Sequence, residues 1–186
     1  MLSKLELRRQ LLHMTFGILL VTLLYFKVIN IYYMIGILVL GVALSQMCAR
    51  FKIPIASWVM DNFERKEFRK TFPGKGPIFF MLGSIFVVYL FPLKIALAAM
   101  MILSIGDALS HIFGKLLSGK TYKYLKSVEG TLIGMVFSFF GALIFVDASA
   151  ALIGTSLALG FESINIEIED NLFVPIIAAI VMAAIV

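Results

Sequence analysis

Residues 95–113 read IALAAMMILSIGDALSHIF, an apolar run that contains an aspartate and a histidine. The run is close to the ~20 residues that an α-helix needs to cross the hydrocarbon core of a bilayer. An ionisable side chain inside such a run is costly in lipid and indicates a functional site. The stretch therefore predicts a membrane helix that also carries chemistry.

The rest of the chain has the same apolar character. Of its 186 residues, 61% are hydrophobic and 15% are charged, and the mean hydropathy is +1.03. An ordinary soluble domain is nearer half apolar and a quarter charged, and one small core does not hide this much apolar surface. Composition therefore predicts a single integral membrane domain over residues 1–186. Cys48 is the only cysteine, which excludes an internal disulfide and a thiolate metal cluster.

Seven apolar runs follow one another along the chain. Each approaches the length of a spanning helix, and helices satisfy their own backbone polar groups in lipid. The sequence thus predicts an all-α, multi-pass bundle of about seven transmembrane helices, although the weak sixth run leaves six open. The runs are 11–26, 31–49, 78–91, 95–113, 132–146, 148–161 and 172–186.

The placement of basic residues predicts the orientation of this bundle. Fourteen of the 16 lysines and arginines precede the first run or lie between runs two and three or runs four and five. By the positive-inside rule, these three regions face the cytoplasm. The basic excess is therefore a topology signal, and nucleic acid is not expected as a partner. Within the cytoplasmic loop at about 50–76, the mixture of aromatic and basic residues over 55–72 indicates an amphipathic helix at the headgroup level, with a solvated basic loop as the alternative.

Polar residues continue at helical spacing through the end of the fourth run. Ser104, Asp107, His111, Lys115 and Ser118 share one face of a helix, beside a ridge of small residues at 106, 110 and 114 that suits close helix packing. Asp107 is therefore a candidate functional residue. Structural pairing with His111 is the alternative interpretation.

A basic loop with glycines follows and leads into the next helix. Lys120 and Lys126 precede Glu129 and Gly130, where free N–H groups and the helix dipole favour an anion such as phosphate. Glu129 is suited to hold a divalent cation that bridges phosphates. Residues 114–121, GKLLSGKT, match the phosphate-loop pattern, but a true phosphate loop follows a buried strand, so we interpret this match as accidental.

Two further clusters are expected at the same cytoplasmic face. Arg8 and Arg9 lie just before the first run, with His13 one helical turn after Arg9. The loop 162–171 carries four acids and no base, against the positive-inside trend, and a divalent metal is the simplest explanation. The cytoplasmic face is thus expected to combine basic residues for phosphate, carboxylates for Mg²⁺ and lipid-facing walls. This combination indicates a site that joins a phosphate-bearing nucleotide to a membrane lipid.

These blocks together resemble the polyprenol kinase family, which groups dolichol kinase, phytol kinase and the CTP-dependent diacylglycerol kinase. The likeness lies in RRQLLH at 8–13, GKGPIFFMLGS at 74–84, GDALSHIFGK at 106–115, KSVEGTLIG at 126–134, and Glu162 followed by Asp170 and Asn171. The resemblance implies a membrane enzyme that transfers a phosphoryl group from a nucleoside triphosphate, commonly CTP, to a lipid alcohol. That alcohol would be dolichol, phytol, another isoprenoid alcohol or diacylglycerol.

The residues and the resemblance together give a set of expected site residues at the cytoplasmic interface. The expected catalytic residues are Asp107, Glu129 and His13. Mg²⁺, or another divalent cation, would be held by some of Asp107, Glu129, Glu162 and Asp170. The nucleotide and its phosphates would contact Arg8, Arg9, Gly114, Lys115, Lys120, Lys126 and Gly130.

Two other functions stay open at the level of sequence. A phosphatidate cytidylyltransferase would use a block similar to 126–130 for CTP, but it would transfer a cytidylyl group to a phospholipid. A small transporter would use Asp107 as a proton or ion site, with polar residues near the bilayer midplane of several helices. The sequence does not fix the lipid alcohol, the choice between CTP and ATP, or the oligomeric state.

Overall fold

A computed structural model describes residues 2–51, 53–64, 67–117, 127–164 and 169–186, without the side chains of residues 55–57 and 70. The regular structure in these ranges is helical, as the sequence predicts. A π-helical segment, Ile102–Asp107, joins the sixth helix to the seventh. The helices are α1 (Lys4–Tyr25), α2 (Ile31–Arg50), α3 (Pro54–Phe63), α4 (Phe68–Thr71), α5 (Lys75–Leu90), α6 (Leu93–Met101), α7 (Ala108–Leu117), α8 (Val128–Ala142), α9 (Ala148–Ser163) and α10 (Asp170–Ala183).

Helix length separates these elements into two groups. Within the described ranges, three helices are long and apolar enough to cross a membrane: Lys4–Tyr25, Ile31–Arg50 and the continuous helix Leu93–Leu117. The helices α5, α8 and α10 are apolar but shorter. Membrane-grade helices are thus present, and the count of seven crossings stays a prediction.

The continuous helix formed by α6, the π-helical segment and α7 lies at the centre of the fold. Ala96, Ala98 and Ala99 are fully buried along it, since small side chains let neighbouring helices approach closely. The helices α1, α8, α9 and α10 all contact the π-helical segment. In contrast, α2 packs against α5 at the edge and exposes large apolar side chains such as Val39 and Leu40. An exposed apolar face of this kind is suited to lipid.

The ridge of small residues at 106, 110 and 114 packs against α8. A Cβ atom added to Gly130 would lie 2.6 Å from the Cα atom of Gly114, and one added to Gly134 would lie 2.6 Å from the carbonyl oxygen of Gly106. These distances leave no room for a side chain, so the two backbones touch. The close approach of helices predicted from the ridge is therefore present, and it places α7 beside the start of α8.

Four helix starts in the described ranges are capped by side chains in the way that their sequences favour, and the first is that of α1, where the Ser3 hydroxyl accepts from the N–H of Glu6. Asn30 caps α2, Ser127 caps α8 and Asp147 caps α9. Hydrogen bonds from the Ser149 hydroxyl and the Ala150 N–H hold the pKa of Asp147 below its usual range. The cap of α9 is therefore charged at neutral pH, and its contribution to stability is lost as the pH falls through that lowered pKa.

The first part of the predicted polar stripe lies in the π-helical segment and faces α1. The side chain of Ser104 packs on Gly17 of α1, and Asp107 contacts His13 one turn earlier in the same helix. The Ser104 hydroxyl donates to the carbonyl oxygen of Met100 at 2.6 Å, within its own helix.

One local prediction needs correction. The amphipathic segment expected over 55–72 is interrupted, since α3 ends at Phe63 and α4 is a separate turn.

Candidate functional site

Four side chains with metal-ligating atoms meet where the central helix approaches α9 and α10. Asp107 ends the π-helical segment, His111 lies one turn later, Glu162 lies in the last turn of α9, and Asp170 begins α10. One ligand atom from each lies within 4.8 Å of the others. We call these residues the four-residue group. Three carboxylates and one imidazole form a mainly oxygen donor set, which suits Mg²⁺ or Mn²⁺.

Asp107 lies between two histidines. Its Oδ1 atom is 3.3 Å from Nε2 of His111, and its Oδ2 atom is 3.6 Å from Nε2 of His13 in α1. The ring of His13 also meets Phe80 of α5 edge-on, with 5.0 Å between the ring centroids. The pairing of Asp107 with His111 that the sequence suggests is therefore accompanied by a contact with His13. That second contact comes from a helix far away in sequence.

A cavity of about 480 Å³ opens beside Asp107, Asp170 and His13. It lies among α1, α3, α4, α5 and the first turn of α10. This volume is in the range of small-molecule sites in proteins. We call it the large cavity. Its apolar wall includes Phe16, Val59, Met60, Phe63, Phe68 and Phe80.

A second cavity of about 210 Å³ lies beside His111 and Glu162. We call it the small cavity. Most of its lining residues carry a polar group, and the hydroxyl of Ser110 is buried there without a hydrogen bond to any described residue. Buried hydroxyls are normally paired, so this one offers a place for a ligand atom. The other lining residues are Gly114, Lys115, Ser127 and Thr131.

The four-residue group lies between the two cavities. Asp107 and Asp170 line the large cavity, whereas His111 and Glu162 line the small one. A molecule in each cavity would therefore contact members of the same four-residue group. Asp107 and Glu162 are 6% and 4% exposed, so this meeting point is shielded from bulk water.

The residues expected to contact phosphate do not all line one cavity. Arg9 lines the large cavity, and Gly114 and Lys115 line the small one. Arg8 instead donates to the side-chain oxygen of Asn62 in α3 at 3.0 Å. The expected residues Lys120 and Lys126 lie outside the described ranges.

The start of α8 differs from expectation in two ways. Glu129 is exposed and accepts a hydrogen bond from the Ser127 hydroxyl at 3.2 Å, and it is not a member of the four-residue group. Gly130 is buried, and its N–H donates to the same hydroxyl at 3.2 Å. The helix cap thus already occupies the amide that was expected to bind an anion.

Glu6, a buried acid for which no role was predicted, forms ion pairs with two of the basic residues that were expected to contact phosphate. Glu6 is 4% exposed, and its carboxylate lies 2.6 Å from the guanidinium of Arg9 and 3.8 Å from the ammonium of Lys115. Glu6 therefore connects the start of α1 to the end of α7. Its only signal in the sequence is an acid three residues before an arginine, which is a common pair on any helix.

The segment Gly74-Lys75-Gly76 also lines the large cavity, although no role was predicted for it beyond its part in the resemblance. Gly74 has φ of +75°, a conformation that favours glycine, and its N–H donates to the carboxylate of Glu64 at 2.9 Å. Lys75 forms an ion pair with Glu169. The segment therefore joins the end of α3 to the start of α10.

Comparison with known proteins finds a relative that aligns with nearly the whole chain. The chain is 32% identical over 188 aligned residues to Uncharacterized protein MJ1137 of Methanocaldococcus jannaschii, and the alignment covers 95% of this chain and 92% of the relative. No family model matches the chain, and no solved structure matches it.

Proposed function

The chain belongs to the same family as Methanocaldococcus jannaschii MJ1137, and we propose that it is a multi-pass membrane kinase that phosphorylates a lipid alcohol. The observation that carries the proposal is the position of the four-residue group between two cavities, one with several phenylalanines in its wall and one lined by residues with hydroxyl and charged groups. Phosphoryl transfer needs positioning and charge stabilisation more than covalent chemistry. The resemblance to the polyprenol kinase family supports the same reaction.

In this proposal the lipid alcohol occupies the large cavity. Its chain contacts the phenylalanine-rich wall, and its hydroxyl faces Asp107 and His13. The hydroxyl oxygen forms a bond to the γ-phosphorus of the nucleotide, and the bond from that phosphorus to the β–γ bridging oxygen breaks. The electron pair leaves with the nucleoside diphosphate, and the hydroxyl proton passes to Asp107 or His13.

The small cavity is the proposed place of the transferred phosphate. The ammonium of Lys115 and the hydroxyl of Ser110 give it a cation and a further hydrogen-bond donor, whereas the Thr131 hydroxyl donates to the carbonyl oxygen of Ser127. The hydroxyl of Ser110 supports this role because it has no hydrogen-bond partner among the described residues. CTP as the phosphate donor comes from the resemblance alone.

The four-residue group is the proposed Mg²⁺ site. Carboxylates as close as those of Asp107, Glu162 and Asp170 repel one another, and a cation removes that repulsion. The fourth proposed ligand is the imidazole of His111, in place of the Glu129 carboxylate that was expected. When bound, the ion would neutralise charge on the nucleotide's phosphates.

We also propose seven crossings, with this site facing the cytoplasm. Exposed tyrosines support the proposal, because tyrosine is enriched where helices meet the headgroups. Tyr25, Tyr32 and Tyr89 are exposed at the ends of α1, α2 and α5 that lie away from the site. The basic residues lie mostly at the other ends of these helices.

Cysteine accessibility tests the orientation of α5. In a Cys48→Ser background, we expect Glu67→Cys to react only with a membrane-impermeant reagent on the cytoplasmic side. Lys94→Cys should react only from the outside, since both positions are exposed and α5 separates them. Reaction of both cysteines from the same side would contradict a crossing by α5.

The function itself is tested by the fate of labelled phosphate. Purified protein with Mg²⁺ is incubated with CTP, ATP or GTP labelled at the α or γ position, together with dolichol, phytol or diacylglycerol. We expect label to reach an alcohol from the γ position and not from the α position. Transfer from the α position to a phospholipid would instead support a cytidylyltransferase. No transfer from any nucleotide to any alcohol would contradict the proposed kinase.

A further inference from the structure

The first turn of α10 is fastened to the first turn of α5 on both sides of Asp170. Before Asp170, the carboxylate of Glu169 pairs with the ammonium of Lys75. After it, the side-chain amide of Asn171 donates to the carbonyl oxygen of Gly76 at 3.2 Å. Neither Lys75 nor Gly76 offers a ligand to the four-residue group. These contacts therefore affect where Asp170 lies and not how many ligands are present.

Lys75 is itself held in place from a third direction. Its Nζ atom lies 4.7 Å from the ring centroid of Phe68 in α4. The preceding residue, Gly74, donates its N–H to the carboxylate of Glu64 after α3. Further along the same helix pair, a Cβ atom on Gly83 would lie 3.2 Å from the Cα atom of Leu172, so α5 and α10 are tightly packed. The ion pair thus joins two firmly placed segments.

We infer that Lys75 and Glu169 are a positioning pair for the cation site. Their ion pair fixes the first turn of α10 in the position that brings the carboxylate of Asp170 close to Asp107 and His111. The inference rests on the proposed function in treating the four-residue group as a cation site. Contacts that orient ligands from outside the coordination sphere typically contribute about 10–100-fold to metal affinity.

Charge reversal separates positioning from simple electrostatics. Lys75→Glu adds negative charge near the group, so long-range attraction alone would strengthen Mn²⁺ binding. Glu169→Lys adds positive charge there and would weaken it. A positioning pair predicts that both substitutions weaken binding, by about tenfold or more. The double variant Lys75→Glu/Glu169→Lys restores the ion pair and should recover most of the affinity.

The experiment measures Mn²⁺ binding to the full-length protein in detergent, from the electron paramagnetic resonance signal of free Mn²⁺. Lys75→Met and Glu169→Gln provide neutral variants in case the charge reversals do not fold, and each should also weaken binding. Lys94→Glu, at an exposed position beyond the far end of α5, is the matched control and should leave affinity unchanged.

Three outcomes would overturn the inference: opposite effects of the two charge reversals, unchanged affinity in both neutral variants, or a wild type that binds no Mn²⁺. The label-transfer assay is independent of this result. Transfer of γ label by a wild type that binds no Mn²⁺ would keep the kinase and remove the positioning pair. The expected Mn²⁺ results without any transfer of label would support the pair and remove the kinase.

Discussion

Replacement of Asp107 by asparagine should lower phosphorylation of the lipid alcohol by about 10² or more, the usual scale for losing a general acid or base. Asparagine keeps the shape of the side chain and much of its hydrogen-bonding capacity, but it removes the charge that lies between His13 and His111. Activity should therefore fall while the protein inserts and purifies normally. The measurement is γ-label transfer to the alcohol at saturating nucleotide and Mg²⁺.

Asp61→Asn is the matched control for this substitution. Asp61 lies in α3, where its largely exposed carboxylate pairs with Arg69 at 2.6 Å. Exposed ion pairs contribute little to stability, so this variant should transfer label at nearly the wild-type rate. If Asp107 only pairs with His111 for structure, Asp107→Asn will also keep its activity. Near-normal transfer by that variant would therefore remove Asp107 from the active site.

The helices and several site residues were predictable because their signals lie within short stretches of sequence. Each apolar run forms a helix at nearly the predicted place, since hydrophobicity and helix period are local properties. The acids of the loop 162–171 were predicted to converge with Asp107 because they oppose the positive-inside trend. The structure does bring Glu162 and Asp170 to Asp107, and their role as metal ligands stays a prediction.

The choice between Glu129 and His111 was not predictable in the same way. The position of each residue on its own helix follows from local helical spacing. Which side chain reaches the four-residue group, however, depends on how α7 and α8 are rotated against each other. That rotation is set by the contact between Gly114 and Gly130, and by the π-helical segment before Asp107. The roles of Glu6 and Lys75 were missed for a related reason, because their partners become neighbours only when helices pack.

The contact between α7 and α8 predicts the second large effect. Gly130→Ala should destabilise the protein, whereas Gly36→Ala in α2 should not. A Cβ atom at Gly130 would lie 2.6 Å from both the N and Cα atoms of Gly114, and backbone atoms do not yield as a flexible side chain does. Overpacking of this kind typically costs about 1–3 kcal/mol. At Gly36 a Cβ atom meets nothing within 4 Å, and alanine is the better helix former by roughly 0.5–1 kcal/mol.

Thermal unfolding in detergent measures both variants, with label transfer measured at a temperature where each is still folded. Gly130→Ala should melt below the wild type and Gly36→Ala at or above it. Gly130→Ala should also lose activity while folded, because separating α7 from α8 moves His111 and Lys115 away from Ser127 across the small cavity. An unchanged melting temperature for Gly130→Ala would show that the helices separate without cost. Full activity in a destabilised Gly130→Ala would instead show that the small cavity does not need this contact, and would count against its role in holding the phosphate.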